Sequence, residues 1–244
     1  MPKYYSLSLA ACLFSCVNLF AEAPVKVDTV APLADIVFEV NSQIETLEKE
    51  LADEAGYEEN RGGQIRQSFG LLACLGQALA EHSKASESEI QGAHLRDAAL
   101  KFQKKSSLAE AKTALEAVKA AQVGKSEGEA ANDHPWNKLI NMHPMMEEIN
   151  SRNSAILKVL RRPRGKESEP VHATTWAILG LAMKADTHEV KDEADLPKWH
   201  AQSDAFIAAS VKLAEAIRAK DKTEGRKWFD AANESCDACH EVFQ

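Results

Sequence analysis

Two cysteines and a histidine stand close together in the run Cys236-Asp237-Ala238-Cys239-His240. On a helix, thiols three residues apart lie on nearly the same side of one turn, so both can form thioethers with the two vinyl groups of a haem. The next residue, His240, can then present its imidazole to the iron as an axial ligand. The pattern predicts one covalent c-type haem, attached at Cys236 and Cys239 with His240 bound to the iron.

Other chemistry is open to the same two cysteines, namely a disulfide, a redox pair or half of a zinc site. A zinc site needs two further ligands, and the sequence contains no second Cys-x-x-Cys. A redox Cys-x-x-Cys normally opens a helix in a βαβ unit, whereas this motif closes the last predicted helix of a helical chain. Haem attachment is therefore the favoured interpretation. Cys74 lies in an apolar run and is predicted to be a buried free thiol.

Apolar residues recur at helical spacing in eight segments, which form two sets of four. The first set covers residues 33–52, 65–83, 90–104 and 108–121, and the second covers 144–161, 172–185, 197–220 and 224–243. Short connections between amphipathic helices favour antiparallel neighbours. The predicted fold is all-α, with two tandem antiparallel four-helix bundles. A haem-free bundle over 28–123 is expected to be joined by a linker over 124–134 to a haem-binding bundle over 135–244.

The two sets resemble each other at an offset of 109 residues, which indicates a tandem duplication. Val40-Asn41-Ser42 corresponds to Ile149-Asn150-Ser151, and Phe69 lies close to the equivalent of Trp176. The first set has no Cys-x-x-Cys-His, because residues 119–123 occupy the matching position. Only the second bundle can therefore bind haem through this motif.

The first predicted helix of the second bundle carries the candidates for the sixth iron ligand. They are Met146, Met145 and Met142, in that order of preference, with His143 as the runner-up. Methionine more often fills gaps in a core than it binds a metal. The haem-free copy, however, has Ile36 and Val37 where the second copy has Met145 and Met146. The first copy thus lacks both the methionines and the haem motif, as expected if a methionine and the motif bind the same iron.

A secretory signal peptide is predicted over residues 1–21. Lys3 precedes an apolar stretch that is too short for a comfortable membrane span, and Ala21 precedes the expected cleavage point. Cys12 and Cys16 could be read as lipoprotein sites, but apolar residues continue after both and favour ordinary cleavage. We therefore expect a periplasmic protein without a membrane span in its mature form.

Charge and composition exclude other classes of function. A formal net charge of −8 argues against nucleic acid, whose phosphates require clustered Lys and Arg. The basic run over 161–166 is interpreted as a solvated loop, and no Ser/His/Asp arrangement points to an enzyme. Arg152 and Lys138 are candidates to neutralise haem propionates. Five histidines are predicted to lie at the surface: His82, His94, His172, His188 and His200.

The C-terminal half resembles the class II cytochromes c, the cytochrome c-prime family. The likeness rests on the haem motif with its flanks Ser235 and Glu241-Val242-Phe243, on the preceding Trp228-Phe229-Asp230-Ala231, and on the predicted long third helix from Trp199. It covers residues 135–244 and reaches the first bundle only through the repeat. The chain departs from the family pattern in having two bundles and in lacking the Lys or Arg that often follows the motif.

This resemblance implies a four-helix bundle whose first helix presents a residue to the open haem face. A Met at that position implies low-spin iron and single-electron transfer between periplasmic donor and acceptor proteins. An apolar residue implies the alternative, a five-coordinate haem protein that binds or senses nitric oxide or carbon monoxide. A third possibility is a structural haem beside a first bundle that serves as an interaction surface. Since family members often dimerise, the two bundles are expected to form an intramolecular pseudo-dimer.

Overall fold

The computed structural model describes residues 22–131 and 134–243, and the predicted signal peptide lies outside these ranges. Within them all regular structure is helical, which confirms the all-α prediction. The α-helices are α1 (Leu33–Glu50), α2 (Glu54–Asn60), α3 (Gln64–Glu81), α4 (Gly92–Ala99), α5 (Leu108–Gln122), α6 (Met142–Ser151), α7 (Asn153–Arg161), α8 (Val171–Ala185), α9 (Leu196–Arg218) and α10 (Lys222–Phe243). In the described ranges, no helix is both long and apolar enough to cross a membrane.

Local sequence explains where several helices begin. Asp53 caps α2 by accepting a hydrogen bond from the backbone N–H of Gly56. Ser107 and Glu110 form a capping box at the start of α5, each satisfying a backbone N–H of the other. The short helix α2 lies outside the predicted segments, because it carries one large apolar side chain, Tyr57, and so has no apolar periodicity.

Two predicted helices differ in extent from those observed. The predicted helix over 90–104 ends at Ala99, after which Phe102 turns inward and stacks on Phe69 with ring centroids 4.6 Å apart. The predicted helix over 144–161 is divided at Arg152 into α6 and α7. Arg152 is only 6% exposed, so its side chain is drawn into the protein at that point.

The described helices contact one another in two sets, one in the N-terminal half and one in the C-terminal half. In the first set, α3 packs against α1 and α4, and α5 packs against α4 and α1. In the second, α9 packs between α8 and α10, with α6 and α7 against α8 and α10 against α7. The sets meet where α1 contacts α8, α3 contacts α6 and α3 contacts α8. One hydrophobic core runs through both.

The central helices α3 and α8 are buried on nearly every side, since both are apolar around their circumference. Phe69 and Trp176, each the sixth residue of its helix, are 2% and 1% exposed. Trp176 packs on Phe206 and Phe229, with ring centroids 5.7 and 5.8 Å away. The two aromatic residues paired in the sequence analysis are therefore both buried in the common core.

Helices α3 and α4 approach each other backbone to backbone. A Cβ at Gly76 would lie 2.5 Å from the backbone nitrogen of Arg96 and 2.8 Å from the carbonyl oxygen of Gly92. Both glycines are needed for this contact, because any side chain would separate the helices. Gly76 is the thirteenth residue of α3, and the thirteenth residue of α8 is Met183.

Part of the predicted linker is bound to α4. Asp97 accepts a hydrogen bond from the backbone N–H of Ala131 at 2.6 Å, and the Gln91 side chain accepts one from Ser126 N–H at 2.8 Å. His94 Nε2 lies 3.2 Å from the carbonyl oxygen of Gly128. Residues 124–131 are thus held on the N-terminal half, and residues 132 and 133 lie outside the described ranges.

Predictions for two single side chains have opposite outcomes. Cys74 is fully buried as a free thiol, which confirms the prediction. His82, predicted at the surface, is 7% exposed. Its Nδ1 accepts a hydrogen bond from Lys84 N–H, and its Nε2 lies 3.2 Å from the carbonyl oxygen of Ala31. The surface prediction was wrong because the segment before α1 folds over the end of α3.

Candidate functional site

An apolar cleft lies between α6, α8, α9 and α10 in the C-terminal half. The cleft has a volume of about 210 Å³ and opens to solvent at its mouth, so it is smaller than the roughly 300–1,000 Å³ typical of small-molecule and cofactor pockets. The lining residues are Met142, Met146, Ile149, Met183, Glu189, Lys191, Trp199, Gln202, Phe206, Ser235, Cys236, Cys239, His240 and Phe243. A cofactor as large as a haem would therefore fill the cleft and extend through its mouth.

One wall of the cleft is formed by the last turns of α10. Cys236, Cys239 and His240 all line it, because residues three and four apart share one face of a helix. Cys239 is buried, Cys236 is half-buried and His240 is exposed at the mouth. The Ser235 hydroxyl donates to the carbonyl oxygen of Ala232 at 2.7 Å. The motif thus brings two thiols and an imidazole to a single surface.

Burial controls the acidity of both thiols. It raises the pKa of Cys236 to about 11, with smaller contributions from Cys239 and Asp237, and it also raises the pKa of Cys239. Both groups are therefore protonated near neutral pH, which disfavours a redox pair that works through a thiolate.

The zinc alternative requires further ligands near the two cysteines. In residues 22–131 and 134–243, no three His, Cys, Asp or Glu side chains are grouped so that they could hold a metal ion. The additional ligands that a zinc site would need are thus not gathered in the described part of the chain.

Another wall of the cleft carries three thioethers. Met142 and Met146 of α6 are half-buried and line the cleft, and Met183 of α8 joins them. Met145 is fully buried in the core and is not a lining residue. The side chain of His143 is 78% exposed and also lies outside the cleft lining. Of the predicted ligand candidates, the structure brings Met142 and Met146 to the cleft with the haem motif.

Sequence reasoning did not identify Met183 as a site residue. Helix α8 is apolar all round, so no hydrophobic stripe distinguished the side that faces the cleft. The indole nitrogen of Trp199 donates to the carbonyl oxygen of Met183 at 3.1 Å, and the Trp199 ring meets Phe243 edge to face at 5.1 Å. Trp199 therefore connects α8, α9 and the end of α10 around the cleft.

The cation that lines the cleft is Lys191, from the segment between α8 and α9. Neither Arg152 nor Lys138, the two candidates for neutralising propionates, is a lining residue. Arg152 is engaged elsewhere, since its guanidinium is buried between the Glu39 and Glu148 carboxylates. The sequence could not reveal this engagement, because Glu39 lies more than a hundred residues earlier in the chain.

A polar network holds α6 in place behind the cleft. Burial alone would raise the pKa of Glu39, but the Arg152 guanidinium holds it below its usual range. Arg152 Nη1 also donates to Nδ1 of His172 at 3.2 Å, and burial together with this positive charge lowers the pKa of His172. Close by, the Trp176 indole donates to the carbonyl oxygen of Ile149 at 2.8 Å. These contacts fix the helix that carries Met142 and Met146.

No family model, curated protein or solved structure significantly matches the chain. The interpretation of the cleft therefore depends on its own residues. They combine two buried or half-buried thiols, an imidazole at the mouth, three thioethers, four other apolar side chains and four polar or charged ones. This set of donors fits a covalently attached haem with a histidine and a methionine as axial ligands.

Proposed function

We propose that the chain is an exported mono-haem c-type cytochrome that transfers single electrons between periplasmic donor and acceptor proteins, and that it is not an enzyme. The observation that carries this proposal is the meeting of Cys236, Cys239 and His240 with Met142 and Met146 in one cleft. When bound, the haem would supply an iron that gains and loses one electron. All other contributions come from the side chains around it.

Four residues of the cleft, Cys236, Cys239, His240 and Lys191, have defined roles in this proposal. Cys236 and Cys239 would hold the haem through thioether bonds, which keep a cofactor attached in an exported protein. His240 would be one axial ligand. Lys191, the lining cation, would offset the negative charge of a propionate.

The apolar residues would set the environment of the iron. Trp199 and Phe206 are 2% and 1% exposed, and Ile149 is 7% exposed. They exclude water from the inner part of the cleft, and a drier site disfavours the more highly charged oxidised state. A thioether ligand raises the reduction potential further. Since Met145 is not a lining residue, the proposal for the sixth ligand narrows to Met146, with Met142 as the alternative.

We also propose that the halves are two four-helix bundles that arose by duplication. Leu33 and Met142, the first residues of α1 and α6, are 109 residues apart, and so are the 3-10 turns Val27–Thr29 and Trp136–Lys138 that precede them. Val37 and Met146 are both half-buried, as their equivalent positions require. These matches support a common origin of the two helices.

Reciprocal contacts support an intramolecular pseudo-dimer. Helix α1 contacts α8 while α3 contacts α6, as expected where two similar units meet about a two-fold axis. Glu39 and Glu148, again 109 residues apart, both bind Arg152. The residue equivalent to Arg152 in the first half is Gln43, which donates to Glu39 at 2.7 Å.

The decisive experiment is an optical spectrum of the purified, haem-loaded protein, oxidised and reduced, with and without carbon monoxide. Low-spin bands, a weak far-red sulfur-to-iron band and no response to carbon monoxide are expected. High-spin bands that shift on adding carbon monoxide would instead support a protein that binds or senses nitric oxide or carbon monoxide. The apolar residues Ile149 and Phe206 in the lining are the observation that favours this second candidate.

Covalent attachment is tested separately by haem staining of the denatured protein. The double variant Cys236→Ala, Cys239→Ala should lose the stain, whereas Cys74→Ala should keep it, because Cys74 is buried in α3. Expression should be in cells that export the chain and attach c-type haem. An unstained wild-type protein under those conditions would contradict both candidate functions.

A further inference from the structure

Six exposed cations form a surface at the end of the C-terminal half where α7 ends and α10 begins. We call it the basic face, and it consists of Arg161, Arg162, Arg164, Lys166, Lys220 and Lys222. Lys222 Nζ donates to the carbonyl oxygen of Arg161 at 3.2 Å. The Lys220 side chain lies over Gly165, where a Cβ would be 2.5 Å from Nζ. These contacts bring the segment before α8 together with the turn between α9 and α10.

The six cations of the basic face outnumber the carboxylates around them. None of its six side chains makes an ion pair with the described residues. Of the nearby carboxylates, Glu169 is buried and accepts from the backbone N–H of Arg164, while Asp221 accepts from the backbone N–H of Glu224. Glu167 is the exposed carboxylate of the loop. On a chain of net charge −8, this concentration of cations favours an anionic partner.

An exposed aromatic side chain adjoins the basic face. Phe38 of α1 is 42% exposed, and it is one of three large apolar side chains that are exposed in the described residues. It lines a cleft of about 370 Å³ with two lysines of the basic face, Lys166 and Lys220, and with three carboxylates, of which Asp35 is paired with Arg218. An exposed aromatic ring beside lysines is a combination that anchors proteins at the interface between lipid headgroups and acyl chains.

We infer that the basic face docks the protein on a membrane surface rich in anionic phospholipid. Lys222 is the first residue of α10 and His240 lies eighteen residues later, so the two are about 27 Å apart along the helix. The remainder of the chain is strongly acidic and is repelled by anionic lipid, so this end must approach first. A membrane bound at this end leaves the cleft open to a soluble partner.

An acidic protein is the competing occupant of the basic face. The proposed electron transfer argues against it, because a redox partner docked there would be remote from the haem motif and electron transfer slows steeply with distance. The preference for lipid therefore rests on the proposed function. The existence of the basic face does not depend on the proposed function, since none of its residues lines the cleft that contains the haem motif.

Vesicle sedimentation of the purified, haem-loaded protein tests the inference. Vesicles of phosphatidylcholine with phosphatidylglycerol should bind it at low salt and release it at high salt, while vesicles of phosphatidylcholine alone should not bind it. The triple variant Arg162→Gln, Arg164→Gln, Lys166→Gln should bind about a hundredfold more weakly. A matched triple of exposed lysines before α5, Lys101→Gln, Lys104→Gln, Lys105→Gln, should bind like the wild type.

Three further measurements complete the test. Both triple variants should keep the wild-type circular dichroism and haem spectrum, because the altered side chains are exposed. Phe38→Ser, which leaves the charge unchanged, should weaken vesicle binding several-fold.

Equal weakening by both triples, or no binding to anionic vesicles at low salt, would overturn the inference. Binding to polyglutamate without binding to vesicles would also overturn it, in favour of an acidic protein partner. A failed haem assignment would leave the vesicle result intact, so the two proposals are separable.

Discussion

Arg152 of the C-terminal half and Glu39 of the N-terminal half form a buried ion pair across the boundary between the halves. Arg152 Nη2 donates to Glu39 Oε1 at 2.5 Å, and the two residues are 6% and 4% exposed. Arg152 makes a second ion pair with Glu148, one turn earlier. Buried charges are tolerated only when paired, so the placement of α6 depends on a carboxylate from the other half.

The first prediction concerns this buried cation. Arg152→Met would leave Glu39 and Glu148 buried without a positive charge, so the free energy of unfolding should fall by about 3–5 kcal/mol. Urea denaturation followed by circular dichroism measures the change. The control is Arg61→Met, which removes an exposed pair with Glu58 and should cost less than about 1 kcal/mol. Comparable losses in both variants would show that the buried ion pair contributes no more to the free energy of unfolding than an exposed one.

The second prediction identifies the sixth ligand. In haem-loaded protein, Met146→Leu should convert the spectrum to high spin and permit carbon monoxide to bind. Met145→Leu is the matched control on the same helix and should leave the spectrum unchanged, since Met145 is fully buried and is not a lining residue. If Met142→Leu alone has the effect, Met142 is the ligand. If neither variant alters the spectrum, no methionine of α6 binds the iron.

The third prediction is a dependence of stability on pH. His172 has a folded-state pKa below its ordinary value of 6.5, through burial and the charge of Arg152. His172 therefore binds a proton more readily in the unfolded chain than in the folded one. The free energy of unfolding should fall as the pH decreases below 6.5. His172→Asn keeps a hydrogen-bond acceptor for Arg152 and should reduce this acid loss.

Comparison with the wild type is essential for that measurement, because His188 acts in the opposite direction. Its pKa is raised by the hydrogen bond to Asp186, so it contributes stability that is lost as pH increases. Its side chain is 54% exposed, which limits its effect. Denaturation curves from pH 5 to pH 8 with the same slope for wild type and His172→Asn would contradict the assignment.

The fourth prediction concerns the thiols before haem is attached. With its pKa raised to about 11 by burial, Cys236 should be almost entirely protonated at pH 8 in the haem-free protein. Iodoacetamide should alkylate it about a hundredfold more slowly than the same cysteine in a free peptide of residues 230–243. The double variant Cys74→Ala, Cys239→Ala of the protein isolates the alkylation of Cys236 from that of the other two thiols. A rate equal to that of the peptide would mean that the end of α10 is open without haem.

The fifth prediction tests the close contact of α3 and α4. Gly76→Ala places a Cβ 2.5 Å from the backbone nitrogen of Arg96, which cannot move without shifting α4. The expected loss is about 1–3 kcal/mol in the free energy of unfolding. Gly62→Ala is the control, because a Cβ there meets nothing within 4 Å. If the two substitutions have the same effect, the contact does not depend on glycine.

Much of the helical order could be read from the sequence because it depends on local periodicity. The all-α class follows from apolar spacing, and the common face of Cys236, Cys239 and His240 follows from the geometry of a helix. Burial of Cys74 follows from the uniformly apolar run around it. Irregular features such as the division at Arg152 and the early end of α4 coincide with contacts distant in sequence, the pair with Glu39 and the stacking of Phe102 on Phe69.

The candidate site likewise combines features that local spacing determines with features that depend on distant contacts. Spacing alone determined that two thiols and an imidazole share a face, since those residues belong to one helix. Only the tertiary structure decided that Met146 lines the cleft and Met145 does not, because adjacent residues point about 100° apart and a neighbouring helix must select between them. It also placed Met183 in the site, paired Arg152 with Glu39 and joined Lys220 to the loop over 161–166. Each of these relations links segments far apart in the chain, and packing and charge pairing in three dimensions bring them together.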